Sequence, residues 1–284
     1  MAVTITIANE KGGVGKTTTA VNMAAGLALC LRNQNGKNGR VLLIDTDPQG
    51  HALLSTGFGR HTAEPGESMA ALLIESPPPS VQPLIRQSNH HSNLFFVPGN
   101  RDAMTDAART LPTLMANESR LVRSLSNIQS QFAYIIIDTP PNTGDLLINA
   151  LVCANLVLVP VETSYLGVSG LIELQKTIES VKFHFRPNLQ IMGYLPTLCD
   201  EQRSETHEIL AELRQRYSSQ LFNPIHKATD LAYAHSSHTD VFTYRPPRQR
   251  QDGKLSSSSR STQEYAELVE KVLTLTWQQA SSGN

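Results

Sequence analysis

Six segments of this chain read as apolar runs that end abruptly in polar residues, and they restrict the fold more than any other feature. VTITIA (3–8), RVLLIDTD (40–47), NLFFVPGN (93–100), FAYIIIDTPP (132–141), NLVLVPVE (155–162) and LQIMGYLPT (189–197) are mostly continuous in their hydrophobicity. A strand that is apolar on both sides must be covered on both sides, which is the signature of a parallel sheet between helical layers. Helix-like stretches at 17–31, 119–130, 144–154, 167–183 and 204–217 alternate with these runs, and a last helix is expected over 262–277. The alternation predicts an α/β fold, a doubly wound, mostly parallel sheet flanked by helices, with ligands at the carboxyl ends of the strands. No internal repeat divides the 284 residues. A single domain over 1–284 is expected, with surface excursions near 60–92 and 244–261.

Between the first strand and the first helix lies 10-EKGGVGKTT-18. Gly12, Gly13 and Gly15 let backbone N–H groups converge on phosphate oxygens, and the helix that opens at Lys16 adds its positive end. In such a loop Lys16 reaches the β- and γ-phosphates and the Thr17 hydroxyl completes a Mg²⁺ shell, with Val14 and Thr18 completing the cradle. The standard pattern, G-x-x-x-x-G-K-[ST], asks for a glycine where this chain has Glu10, and a second lysine, Lys11, follows it. Carboxylates are expected at neighbouring strand ends. Asp138 closes IIIDTPP, the arrangement that holds Mg²⁺ beside a nucleotide. Asp45 and Asp47 close VLLIDTDPQG at period-two spacing, which predicts that both face one side of the strand, and toward the loop if the sheet order brings strand 40–47 alongside it.

Together KGGVGKTT, DTDPQG and IIIDTPP, in this order and spacing, resemble the ParA/MinD family of deviant Walker-box P-loop ATPases, and DxDPQG resembles its ParA (Soj-like) partition branch. The resemblance implies an ATP- and Mg²⁺-dependent ATPase that forms a sandwich homodimer when ATP-bound. It implies that Lys11 crosses to the partner's phosphates, where a cation supplied in trans stabilises charge on the γ-phosphate. It assigns water positioning to Asp47, places Asp45 nearer the metal with Thr17 and Asp138, and makes Pro140–Gly144 a segment that senses the γ-phosphate. It further implies slow hydrolysis stimulated by a cargo-adaptor protein of the ParB type or an equivalent. The cargo would be a plasmid, a chromosome region or a protein organelle such as a carboxysome.

Family members bind DNA without sequence preference through basic residues of the C-terminal half. Candidates here are Lys182, Arg186, Arg214, Arg216, Lys227, Arg245, Arg248 and Arg250. Residues 245–260 hold five basic side chains and one acidic, a net of +4 in a chain of net charge −1. That contrast suits salt-sensitive phosphate contacts. HKATDLAYAH departs from the family pattern by placing Asp230 where an arginine is common. A MinD-like membrane-associated ATPase is the alternative, but TQEYAELVEKVLTLTW carries Glu264, Glu267 and Glu270 against one lysine, which anionic lipid disfavours. A nitrogenase-iron-protein-like reductase would need paired cluster cysteines, and Cys30, Cys153 and Cys199 are scattered. These cysteines and the lack of a long apolar run predict a cytoplasmic protein with no membrane partner, and the resemblance implies that it is nucleoid-associated when ATP-bound. His90-His91 and His235…His238 are expected to be loop histidines, and the apolar stripe of 265–273 is expected to dock on the core.

Overall fold

The computed structural model describes residues 2–34, 36–58, 63–244 and 259–282. Among them a seven-stranded sheet runs in the order β3-β4-β2-β5-β1-β6-β7. The strands are β1 (Val3–Ile7), β2 (Val41–Asp45), β3 (Arg86–Gln87), β4 (Leu94–Phe96), β5 (Tyr134–Asp138), β6 (Leu156–Glu162) and β7 (Gln190–Thr197). Every pairing is parallel except that of the edge strand β3 with β4. The helices are α1 (Lys16–Leu31), α2 (His51–Leu53), α3 (Met69–Ile74), α4 (Arg101–Thr110), α5 (Arg120–Leu125), α6 (Asp145–Cys153), α7 (Tyr165–His184), α8 (Ser204–Tyr217), α9 (Thr229–Ser236) and α10 (Arg260–Ser282).

Strand parity divides the core. Tyr134 and Ile136 of β5, Val41 and Leu43 of β2, and Ile5 and Ile7 of β1 pack with α1 and α10. Ile135, Ile137, Leu42 and Ile44 point the other way, into the layer of α3 to α6. The same parity sets Asp45 and Asp138 on the α1 face. The carboxylates and the helix that follows the glycine loop therefore meet by the period of two alone.

Three expectations need correction. From residue 63 on, the connection expected over 60–92 is more ordered than its sequence pattern: α3 buries five of its six residues there, and β3 adds an edge strand. A six-residue buried helix is too short to show a period. The strand ending in DTD stops at Asp45, so Asp47 lies in the following turn and the period-two argument does not reach it. Finally, β2 does not adjoin the strand of the glycine loop, because β5 lies between them. Helix α10 docks as expected, burying Tyr265, Leu268, Val269 and Val272 against α1. It approaches so closely that a Cβ on Gly26 would lie 2.6 Å from Val269 Cγ2. None of the described helices is long and apolar enough to cross a membrane.

Candidate nucleotide site

Gly13 and Gly15 carry φ of +76° and +83°, backbone angles that L side chains rarely adopt, and they turn the chain from β1 into α1. Helix α1 opens with no side-chain cap and no acidic residue in its first turn, so the N–H groups there face the loop without a carboxylate of their own. Val14 is buried, and its carbonyl accepts from the Thr197 hydroxyl of β7 at 2.8 Å. Gly12 lies under the Pro141 side chain, with 3.6 Å from a built Cβ to Pro141 Cβ. The Thr18 carbonyl accepts from the Asn22 amide at 2.8 Å. Lys16 is buried, and its ammonium donates to the Lys11 carbonyl at 2.8 Å. Burial lowers its pKa, against the pull of Asp138 and Asp47.

The two in-register aspartates differ. Asp45 and Asp138 are Cα partners across β2 and β5. Asp45 Oδ1 accepts the Asp47 N–H at 3.0 Å and Oδ2 the Ala52 N–H at 2.9 Å, so its carboxylate closes the Asp47 turn. Asp138 is fully buried, and neither of its oxygens has a hydrogen-bond partner among the described residues. Burial raises its pKa to about 7, while the nearby Thr17 hydroxyl and the Lys16 charge act to lower it. Burial and Asp138 together push the Asp45 carboxyl well up. A buried orphan carboxylate beside a threonine hydroxyl is unfinished chemistry, and a divalent cation fits it. No cluster of three or more His, Cys, Asp or Glu able to hold a metal occurs among the described residues. A Mg²⁺ ion here would therefore draw most of its shell from phosphate and water, as Mg²⁺ commonly does.

A family model described as an AAA domain matches residues 2–191. The chain is 38% identical over 224 residues to the chromosome partitioning protein ParA of Myxococcus xanthus, covering 78% of this chain and 74% of that protein. It is 32% identical over 269 residues to the sporulation initiation inhibitor protein Soj of Bacillus subtilis, covering 94% and 97%. The chain belongs to the ParA/Soj family. Among solved structures, cobyrinic acid a,c-diamide synthase of Mycobacterium smegmatis with bound ADP and magnesium superposes with a TM-score of 0.73 at 27% identity, covering 99% of this chain and 97% of that one. An ATP complex of a Cyanothece McdA variant shares the fold, with a TM-score of 0.77 at 21% identity over 95% and 96% of the two chains.

Other expected residues of this ParA-family chain fall as follows. Asp47 sits in its own turn, accepting the Gln49 N–H at 2.9 Å, yet close enough to act on the charges of Lys16 and Asp138. Lys11 turns to β6, its ammonium 2.5 Å from Glu162. The DNA candidates do not form one cluster. Lys182 pairs with Glu179 at 3.0 Å, and Arg186 donates to the Ala154 carbonyl at 3.0 Å, at the amino end of β6. Arg214 and Arg216 lie in the last turn of α8, Arg216 paired with Glu212 at 2.9 Å. Lys227 is at the opposite end, its N–H on the carbonyl of Cys199 just past β7. Arg245, Arg248 and Arg250 lie outside the described residues. His91, expected to be a loop histidine, is buried and bonded to Asp240 at 2.8 Å, tying the turn before β4 to the segment after α9. Sequence reasoning missed Asn9, Glu162, Thr177 and Thr197. Only Asn9 carried a signal, as a polar residue closing an apolar strand at the mouth of a glycine loop.

Proposed function

We propose that this protein is a ParA-type ATPase that binds ATP with Mg²⁺, forms an ATP-dependent sandwich dimer, and hydrolyses ATP slowly until a partner protein stimulates it. The dimer binds DNA without sequence preference and positions or segregates a cargo from the nucleoid in the cytoplasm. The observation that carries this reading is the division of labour between two lysines. Lys16 is buried within the loop on the Lys11 carbonyl, while the Lys11 ammonium is partly exposed and turned away from the cradle onto Glu162 of β6.

In this reading Gly12–Thr18 cradle the phosphates with backbone N–H groups, and Lys16 exchanges the Lys11 carbonyl for phosphate oxygen. Thr17 and Asp138 hold Mg²⁺, with Asp45 alongside keeping the Asp47 turn in place. The ion supplies neutralisation of the charge that develops as the γ-phosphoryl transfers. Asp47 orients the attacking water, and Lys11 of each protomer serves the partner's γ-phosphate. Lys182, Arg186, Arg214 and Arg216, together with Lys227, Arg245, Arg248 and Arg250, are the candidates for contacts to DNA phosphates.

Size-exclusion chromatography with light scattering, paired with DNA retardation at two salt concentrations, tests the proposal. ATP with Mg²⁺, but not ADP, should yield a dimer that retards arbitrary duplexes at low salt and releases them at high salt. An Asp47→Ala protein loaded with ATP should persist in that state. If it remains monomeric and ignores DNA, the reading fails.

A further inference from the structure

Three consecutive residues at the start of the loop are each fastened to β6 or α7. Asn9 Nδ2 donates to the Pro160 carbonyl at 2.7 Å, while Asn9 Oδ1 accepts the Lys11 N–H at 2.9 Å. Glu10, which stands where the usual loop has glycine, accepts from the Thr177 hydroxyl of α7 at 3.1 Å. Lys11 Nζ bonds to Glu162 Oε2 at 2.5 Å and reaches Ser164 Oγ at 3.4 Å. Glu162 is the last residue of β6, and its position is rigid. The first turn of α7 comes so near that a Cβ on Gly167 would lie 2.1 Å from the Glu162 carbonyl oxygen. Ser164 N–H donates to that carbonyl at 2.8 Å, and the Ser164 hydroxyl caps the Gly167 N–H at 3.2 Å. The backbone that carries the Glu162 carboxylate is thus held in place, and the pair opens when the lysine swings away from it.

We propose that Glu162 is a positioning residue for Lys11: it holds the lysine in cis, assisted by the Glu10–Thr177 tie, and Lys11 must leave it before it can serve a second protomer. The inference rests on the proposed role of Lys11 in trans. Nucleotide entry favours release, because Lys16 is drawn from the Lys11 carbonyl to phosphate and one of the loop's own ties is lost. The ordinary glycine at position 10 could make no side-chain bond to α7, so Glu10 gains a role as an anchor rather than as part of the cradle.

The test compares wild type, Glu162→Gln, Lys11→Ala and the double variant by Mg·ATP turnover without any partner protein, across protein concentrations. Binding of a fluorescent ADP analogue reports intact loops. Glu162→Gln should turn over about fivefold faster than wild type, the weight of a partly exposed ion pair. Lys11→Ala should be inactive, and the double variant should match it. If Glu162→Gln binds ADP normally but turns over no faster than wild type while Lys11→Ala is dead, the holding role is wrong and the trans role stands. If Lys11→Ala hydrolyses at the wild-type rate, the underlying reading of Lys11 is what fails. Should Glu162→Gln lose ADP binding, Thr177→Val cuts the Glu10 tie, removing besides it only the hydroxyl's contact with the Glu173 carbonyl within α7. A gain of about twofold supports the clasp, and an unchanged rate overturns it. Acylation of Lys11 in nucleotide-free protein, followed by mass spectrometry, should be faster in either variant, and equal protection in wild type and variants would also overturn the proposal.

Discussion

The ends of β2 and β5 carry the same residue at the same register, yet they are opposite in kind. At the β2 end Asp45 is a finished structural group, with one backbone N–H on each oxygen. At the β5 end Asp138 is equally inaccessible, and among the described residues neither oxygen has a partner at hydrogen-bond geometry, although the Thr17 hydroxyl and the Thr139 N–H lie near enough to favour its charged form. A buried carboxylate without donors is costly, and proteins tolerate it where a ligand will complete it. The difference teaches that one strand end builds the turn that carries Asp47, while the other waits for a cation.

The largest effects should separate the two aspartates. Asp138→Ala should cut Mg²⁺-dependent turnover by about a hundredfold or more, since the metal contributes several kcal/mol to charge stabilisation. Its urea midpoint without nucleotide should stay at or above that of wild type, because the burial cost of the carboxylate outweighs the weak pull of the Thr17 hydroxyl and the Thr139 N–H on it. Asp45→Ala should do the reverse in stability, costing about 2 kcal/mol in urea melts by stranding the Asp47 and Ala52 N–H groups. If both variants lose stability equally, the contrast is broken.

A smaller effect sharpens the same comparison through pH. The Asp138 pKa is raised from 3.8 to about 7 by burial, so the folded protein retains a proton that the unfolded chain has already lost. Stability from this group is present below pH 4 and is lost as pH rises through about 7. Cation binding requires the ionised form and should run the other way. Added Mg²⁺, at saturating ADP, should therefore raise the melting temperature more at pH 8 than at pH 6. The pH dependence of that increment should shrink in Asp138→Asn to what the titration of the ADP phosphate itself leaves.

Much of this arrangement was legible from residue order. Continuous apolar runs ending in aspartate gave the parallel sheet, and glycine spacing before Lys16-Thr17 marked the loop, because both follow from local periodicity and backbone sterics. What was not legible depends on strand order and side-chain direction. Nothing in VLLIDTD says that β5 intervenes between β2 and β1, or that Asp45 spends both oxygens on its own turn. The buried helix MAALLI gave no periodic signal in six residues. Glu162 and Thr177 acquire meaning only when α7 folds back beside residues more than 150 positions earlier.

The smallest predicted effect concerns the seam between the two strand ends. Thr46 follows Asp45, and both its N–H and its hydroxyl donate to the Asp138 carbonyl, at 3.1 and 2.7 Å. The hydroxyl bond is buried, and Thr46→Val removes it while keeping the shape, which should cost about 1 kcal/mol of stability. The backbone bond remains, so the strands stay paired and the phosphate cradle is untouched. ATP affinity should be unchanged. If the β2 end serves to hold Asp47 at a set distance from Asp138, loosening this link should slow turnover a few-fold, since small misplacements of a water-orienting group are felt in the rate. Turnover and affinity measured on the same preparation decide it. An unchanged rate would mean that the turn is held by Asp45 alone, and that the β5 end contributes a carboxylate but no alignment.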